Sequence, residues 1–379
     1  MAADAESRDA RLVLGLMSGT SADGIDIALI EVVGAGLTRT ARFLGGGISP
    51  WPNSVAEGIR LAPDWSLEDF SGWHYRLGVL FGAAAKDFLD DMGVPANRIR
   101  AIGCHGQTVF HHGGNPKGGT LQAGDTAIVA ATAGIPTVGE FRWSDLAVGG
   151  QGAPLSPFAD WTLHRAVGSS LGILNLGGIA NFTLLRGDEA PLGWDCGPAN
   201  GPLDALARRE GLGLFDKDGA FALSGVCVSS LLEVLQAHPF FQKELPRSTG
   251  LEEFGEALLL RAEETHQDVA SEDLMATFVE LAAWAVSHSL EKSGGLEGPI
   301  YVCGGGAQNP ALMQALHRHL APLDINSYAN LGWDPDLREA VAFALLADAF
   351  LENEVSSWPS TTGADFSSPL GRICYPSIP

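Results

Sequence analysis

The chain has no excess of positive charge: 23 lysines and arginines stand against 45 aspartates and glutamates, a net −22 over 379 residues. Such a surface repels phosphate backbones, which argues against nucleic acid and anionic membranes as partners. A phosphorylated small molecule is still admissible, because local amide donors or a metal can offset the field. Cysteine is scarce and odd in number: Cys104, Cys196, Cys227, Cys303 and Cys374 contain no Cys-x-x-Cys pair. Free thiols in a reducing cytoplasm are the expectation, and no structural zinc site fits the spacing. Long apolar runs are missing, with none near the ~18–20 residues of a spanning helix. The stretch Met1–Arg11 is polar, lacks the apolar core of a secretion signal, and reads as a frayed terminus. No glycine turn is followed by Gly-Lys-Ser/Thr, which excludes a Walker A loop, and no clean G-x-G-x-x-G is found. No His-x-x-x-His with a carboxylate partner supports a catalytic metal cage.

Glycine, by contrast, is abundant. The 48 glycines exceed the average share of about 7% and gather at turns. One turn, Gly15–Gly24, lies between the apolar runs Arg11–Leu14 and Ile25–Val33; a second, Asn175–Asn181, lies between Leu171–Leu174 and Phe182–Leu185. Without a Cβ in the way, backbone N–H groups of such turns can converge on an anion. One turn opening each half points to a duplicated, phosphate-handling fold with a cleft between lobes, and so to phosphoryl transfer. The length agrees with two domains on a prior of ~100–200 residues each. We place them at 12–150 and 151–370, with the last helix a candidate to pack back on the first lobe and Gly149–Pro157 as a hinge loop. Strands alternate with helices, hence α/β. Helical spacing covers Trp65–Met92, Asp125–Ala133, Pro202–Arg209, Leu223–Ala237, Leu251–His266, Ala270–Lys292, Pro310–Leu320 and Leu337–Leu351. Short strands are expected at Arg98–Cys104, Pro136–Gly139 and Pro299–Cys303.

The first turn, Ser18 to Gly24, supplies amides, three hydroxyls and a carboxylate within seven residues. Those groups suit phosphate oxygens, and Asp23 suits Mg²⁺, directly or through water. Asp26 alternates with apolar neighbours and is placed to face the same cleft. In Leu192–Asp204, Asp195 follows an apolar stretch and precedes a Gly-Pro turn, where a carboxylate can take a proton from water or a hydroxyl. Asn200 and Asp204 read as helix caps. Cys303–Pro310 is a strand, a triple-glycine turn and a helix start, which lets a base or ribose lie against the backbone. His105 and Gln107 fall just past a short strand. Arg142 offers a planar fork for a carboxylate or sugar oxygens; its plain alternative is a surface pair with Asp145. His111 and His112 read as solvated loop.

In order along the chain, GLMSGTSADGID, HGQT, TLQAGD, FRWSD followed by AVGGQGAPL, LNLGGIAN, WDCGPAN, FDKDGAFA, PRSTGLEEF and VCGGGAQN closely resemble one family, the anhydro-N-acetylmuramic acid kinases of the hexokinase, Hsp70 and actin superfamily. The likeness runs from about Leu14 to about Asp348. It implies a two-lobed ribonuclease H-like (actin-like ATPase) fold with ATP between the lobes. It also implies opening of the 1,6-anhydro bond of anhydro-N-acetylmuramic acid with phosphorylation of O6, giving N-acetylmuramate 6-phosphate for cell-wall recycling. By that resemblance ATP and Mg²⁺ are the cofactors, and Gly19, Thr20, Ser21, Ala22, Asp23, Gly24, Ile25 and Asp26 form the phosphate loop. Gly177 and Gly178 are its counterpart in the second lobe, and Gly304, Gly305, Gly306 and Asn309 the adenosine side. Asp195 matches the base that activates water, while Arg142, Glu339 and His105 match sugar-contacting positions. A homodimer is suggested. The chain departs from the family's Asp-Thr-Gly-Pro-Gly-Asn at Cys196 and Ala199, and Trp143 stands at an often basic or polar position. These departures keep a second sugar open: related levoglucosan kinases use the same parts on a smaller 1,6-anhydro sugar.

Overall fold

The computed structural model describes residues 10–19, 22–113 and 118–377. Thr20 and Ser21 of the expected phosphate loop lie outside the described residues. The first strands are β1 (Arg11–Ser18), β2 (Gly24–Val33), β3 (Thr40–Pro50), β4 (Ile99–His112), β5 (Gly119–Ala123) and β6 (Thr137–Gly139). They are followed by β7 (Leu171–Leu176), β8 (Ile179–Leu185), β9 (Leu192–Pro198), β10 (Ile300–Cys303), β11 (Ile325–Ser327) and β12 (Arg372–Cys374). Two compact units result, one of Met1–Leu163 with Asp336–Pro379 and the other of His164–Pro335. The sequence reading drew the division at 150/151. The first unit instead continues to Leu163, one residue short of the end of the helix Pro157–His164, and buried Asp160 on that helix is bonded to Arg338 of the returning segment.

The sheet of unit 1 runs β12-β6-β4-β1-β2-β3, with β5 paired to β4; that of unit 2 runs β11-β10-β7-β8-β9. In both, the opening three strands form an antiparallel meander, and the first of them takes the next core strand in parallel (β4 on β1, β10 on β7). The order 3-2-1-4-5 therefore appears twice with the same strand senses, as a duplicated ribonuclease H-like core requires. Nearly all residues of β1 and β7 are buried on both faces of their sheets, which is why these central strands read as largely apolar runs rather than alternating ones.

In unit 1 the alanine-rich helix Arg338–Leu351 lies directly on the sheet. Gly15 of β1 and Gly103 of β4 are register partners, and a Cβ on them would fall 1.8 Å from Ala340 O and 2.0 Å from Phe343 O. No other residue permits that approach. The helix Leu67–Asp91 starts at a capping box between Ser66 and Asp69. It packs Leu77, Phe81, Ala85 and Leu89 into the core with Leu14, Ile27 and Ile102. Unit 2 has its own core, in which the helix Ser271–Lys292 meets Phe182, Trp194 and Phe241.

Three elements differ from expectation. β4 continues past Cys104 to His112, because β5 gives it an antiparallel partner. His105, Gln107, His111 and His112 are therefore strand residues rather than turn or loop. The helix expected over 223–237 is two, Ala220–Ser224 and Ser229–Gln236. Gly225 lies between them, where the backbone presses on the helix Ser271–Lys292 and a Cβ would lie 2.0 Å from Glu272 O. The helix expected over 251–266 breaks at Gly255. Among the described residues, no single helix is long and apolar enough to cross a membrane.

Candidate active site

In unit 1 the turn between β1 and β2 is staked at both ends. Buried Ser18 holds its hydroxyl 2.8 Å from Gly24 O and 2.7 Å from Gln107 Oε1, and Trp51 Nε1 donates to it at 3.1 Å. Gln107 Nε2 donates to Gly19 O, and the Trp51 amide to Asp23 O. Within the turn Ala22, Gly24 and Ile25 are buried, Asp23 is exposed and Asp26 half-buried. Burial, then the charges of Glu339, Asp23 and Asp336, push the Asp26 carboxyl up to about 7. Glu339 sits in the first turn of the helix Arg338–Leu351, so the structure gathers Asp26, Asp23 and Glu339, which are far apart in sequence. Ser18, expected as a phosphate-binding hydroxyl, is instead spent on holding the turn, and Trp51 is a partner that no sequence motif indicates.

Beside this turn stands a second polar group. His105 is buried on β4, its ring stacked on Phe343 at 4.5 Å. Its Nδ1 lies 3.0 Å from Gly106 O, and its Nε2 accepts from Arg142 Nε at 3.0 Å. Arg142, in the short helix Phe141–Leu146, also donates from Nη1 to Gly152 O at 2.7 Å. Burial, and after it the Arg142 charge, hold the His105 imidazole well below its ordinary range. Asp145 is no surface partner for Arg142: it is fully buried and accepts from Ser357 Oγ, Thr362 Oγ1 and the Gly152 amide. His111 is likewise not solvated loop. Its Nδ1 lies 3.1 Å from Thr120 Oγ1, and burial brings its imidazole down to about 4.

In unit 2, Asp195 sits on β9 opposite Asn181 and is only 8% exposed. Its Oδ2 accepts from the Thr249 amide at 2.9 Å, and its own amide donates to Arg247 O at 2.9 Å. Arg247, itself buried, fans its guanidinium over five carbonyls: Asp195, Cys196, Phe240, Phe241 and Lys243. The planar fork suits that task. No role had been assigned to Arg247 and Thr249, although they lie in PRSTGLEEF, one of the stretches that carried the resemblance. Asp204 does not cap a helix. It is inside Asn200–Arg209, and burial pushes its carboxyl up to about 6. Cys196 and Ala199 are fully buried, so those departures are core substitutions, whereas Trp143 is 38% exposed.

The glycines sort into two kinds. Gly304 has φ +81°, and a Cβ there would meet Asn175 Oδ1 at 2.6 Å; at Gly178 it would meet Leu251 at 2.8 Å, and at Gly306 Leu176 at 2.7 Å. Packing explains Gly304 and Gly306, whereas at Gly178 only the end of the Leu251 side chain would have to move. At Gly177 and Gly305 the nearest atoms would be 3.5 Å and 3.8 Å away, so neither fold nor φ demands glycine. Bare backbone there leaves the room a Cβ would fill, which suits close approach by a nucleotide. Asn309 caps the helix Pro310–Leu320 through Oδ1, taking the Ala311 and Leu312 amides. For the metal, no three His, Cys, Asp or Glu side chains gather as a ligand set among the described residues. Mg²⁺ held mainly by phosphate and water needs only one or two carboxylates, and Asp23 and Asp26 fit that smaller demand.

Sequence comparison places these residues among known proteins. The family model described as anhydro-N-acetylmuramic acid kinase matches residues 11–376. A protein of that name from Xanthomonas oryzae pv. oryzae is 40% identical over 98% of this chain and 99% of its own length. Another from Pseudomonas putida is 40% identical over 97% and 99%, and one from Vibrio parahaemolyticus 38% over 96% and 98%.

Proposed function

The chain belongs to the anhydro-N-acetylmuramic acid kinase family, and from that premise we propose that it spends ATP to phosphorylate 1,6-anhydro-N-acetylmuramic acid at O6 while water opens the anhydro ring. N-acetylmuramate 6-phosphate, an intermediate of cell-wall recycling, is the product. The observation that carries the reading is the buried Asp195 carboxylate, held by the Thr249 amide within a run matching the family's base. The levoglucosan alternative draws no support from the names of the matched relatives.

Asp195 takes a proton from water as the water oxygen bonds to C1 and the C1–O6 bond breaks. O6 then attacks the γ-phosphorus, and ADP leaves with the electron pair of the broken P–O bond. The product keeps the water oxygen at C1 and the phosphoryl group at O6. Arg142, with its planar fork, is the group for the sugar's carboxylate, and Glu339 for a sugar hydroxyl. The Gly19–Asp26 turn serves the phosphates, with Gly177, Gly178 and Gly304–Gly306 as the nucleotide's backbone contacts. Mg²⁺, when bound, neutralises phosphate charge, and Asp23 with Asp26 are the side chains that would hold it. A cytoplasmic location without nucleic-acid or membrane partners completes the proposal, supported by the acidic charge and the free cysteines; the homodimer rests on the family resemblance alone.

The test is mass spectrometry of the product formed from the anhydro sugar, ATP and Mg²⁺ in ¹⁸O-water. Phosphate plus one ¹⁸O is expected; phosphate without ¹⁸O would mean the ring stays closed. Asp195→Asn is expected to lower turnover by at least ~10²-fold, the scale of a positioned general base, with ATP affinity kept. Near-normal phosphorylation by that variant would remove Asp195 from the role.

A further inference from the structure

His105 matches a position expected to touch sugar, yet its ring has no nitrogen left to offer. Gly106 O can only accept, so the Nδ1 facing it at 3.0 Å carries the proton. Arg142 Nε can only donate, so the Nε2 facing it at 3.0 Å carries the lone pair. One neutral tautomer satisfies both contacts. We infer that His105 is a positioning residue: it aims the Arg142 guanidinium through this hydrogen bond and does not itself bind the sugar. The inference rests on the reading of Arg142 as the sugar's carboxylate ligand.

Three features of the fold hold the ring in this state. The step from Leu16 to Ser18 on β1 spans Cys104 to Gln107 on β4, so β4 carries one extra residue. Gly106 takes up that bulge at φ +76°, where a Cβ would lie 2.8 Å from Ala123 O. The bulge turns the Gly106 carbonyl to the ring of the preceding residue. Phe343, from the helix seated on Gly15 and Gly103, stacks on the ring and fixes its plane. Arg142 is then gripped on two sides, by His105 Nε2 at Nε and by Gly152 O at Nη1. A histidine with both nitrogens committed orients its partner as an outer carboxylate orients a metal-bound histidine.

The experiment is a double-mutant cycle read as the sugar KM, with the ATP KM as control and thermal melts as the check on folding. Loss of a hydrogen bond to a charged group predicts a rise of roughly 10-fold or more in sugar KM for His105→Phe, which keeps the aromatic stack. His105→Gln keeps an acceptor near the Nε2 position and is expected to recover most of that loss. In an Arg142→Ala background His105→Phe is expected to change sugar KM less than about 2-fold, because coupled residues are not additive. Effects that multiply would overturn the proposal and return His105 to direct contact. An unchanged sugar KM in Arg142→Ala would overturn the reading of Arg142, and the positioning role with it. ¹⁵N-histidine spectra of the wild-type protein give a readout free of any folding defect. They are expected to show His105 protonated at Nδ1 and not at Nε2, and the opposite tautomer would refute the inference.

Discussion

Asp26→Asn separates the stability of unit 1 from its function. The Asp26 carboxyl is raised from 3.8 to about 7 by burial first and then by Glu339, Asp23 and Asp336. A group raised in the folded state contributes stability that is complete below its unfolded value and is lost as pH rises through the folded one. At pH 8 the wild-type carboxylate is ionised in both states and bears the whole penalty, about 4 kcal/mol at 1.36 kcal/mol per pH step. Because the side chain is only half-buried, solvent screening reduces this to ~2 kcal/mol. At pH 5 only the interval from 3.8 to 5 counts, which leaves under ~1 kcal/mol after the same reduction. Asparagine stays neutral in both states and escapes the penalty. Asp26→Asn should therefore raise the melting temperature of a unit this size by ~4–8 °C at pH 8 and by much less at pH 5. Calorimetric melts at the two pH values, without nucleotide, read this directly. Equal gains at both, or none at pH 8, would refute the account of Asp26 as a carboxylate penalised by burial and by its acidic neighbours. The same variant should bind Mg·ATP less tightly, since sites that hold a ligand commonly do so against stability.

Further outcomes follow from packing. Gly177→Ala and Gly305→Ala should fold with equal or slightly higher melting temperatures, by up to ~1 kcal/mol, yet bind ATP more weakly by calorimetric titration. Gly304→Ala should destabilise, because its φ and its 2.6 Å approach to Asn175 are both incompatible with a Cβ. Asp160→Ala should cost ~3–5 kcal/mol in denaturant titration by removing the carboxylate that pairs with the buried Arg338 charge. Replacing both partners by apolar residues should restore much of that loss.

Local chemistry is legible without a structure. The apolar runs of β1 and β7, the glycine turns after them and the Pro310–Leu320 helix with its Asn309 cap can all be read from neighbouring residues, because each depends on contacts a few positions away. The division into two similar halves follows from the same runs, and the two sheets share their strand order. The run holding Asp195 is likewise visible as a carboxylate after an apolar stretch, although it lies in the middle of β9 and not at a strand end, because β8 pairs with the strand as far as Pro198. Long-range pairing decided the rest. β4 extends through His111 because β5 lies beside it, and Asp26 is pushed up by burial first and then by Glu339, which returns from more than 300 residues away. Likewise, Arg247 matters because it meets carbonyls from 50 residues upstream. The sequence by itself determined which residue types were available and which turns stayed bare of side chains. Tertiary structure alone decided which nitrogen of His105 carries its proton, which glycines are needed for packing, and which carboxylates repel. Those properties belong to pairs of groups at a distance of a few ångströms, and spacing along a chain does not encode that distance.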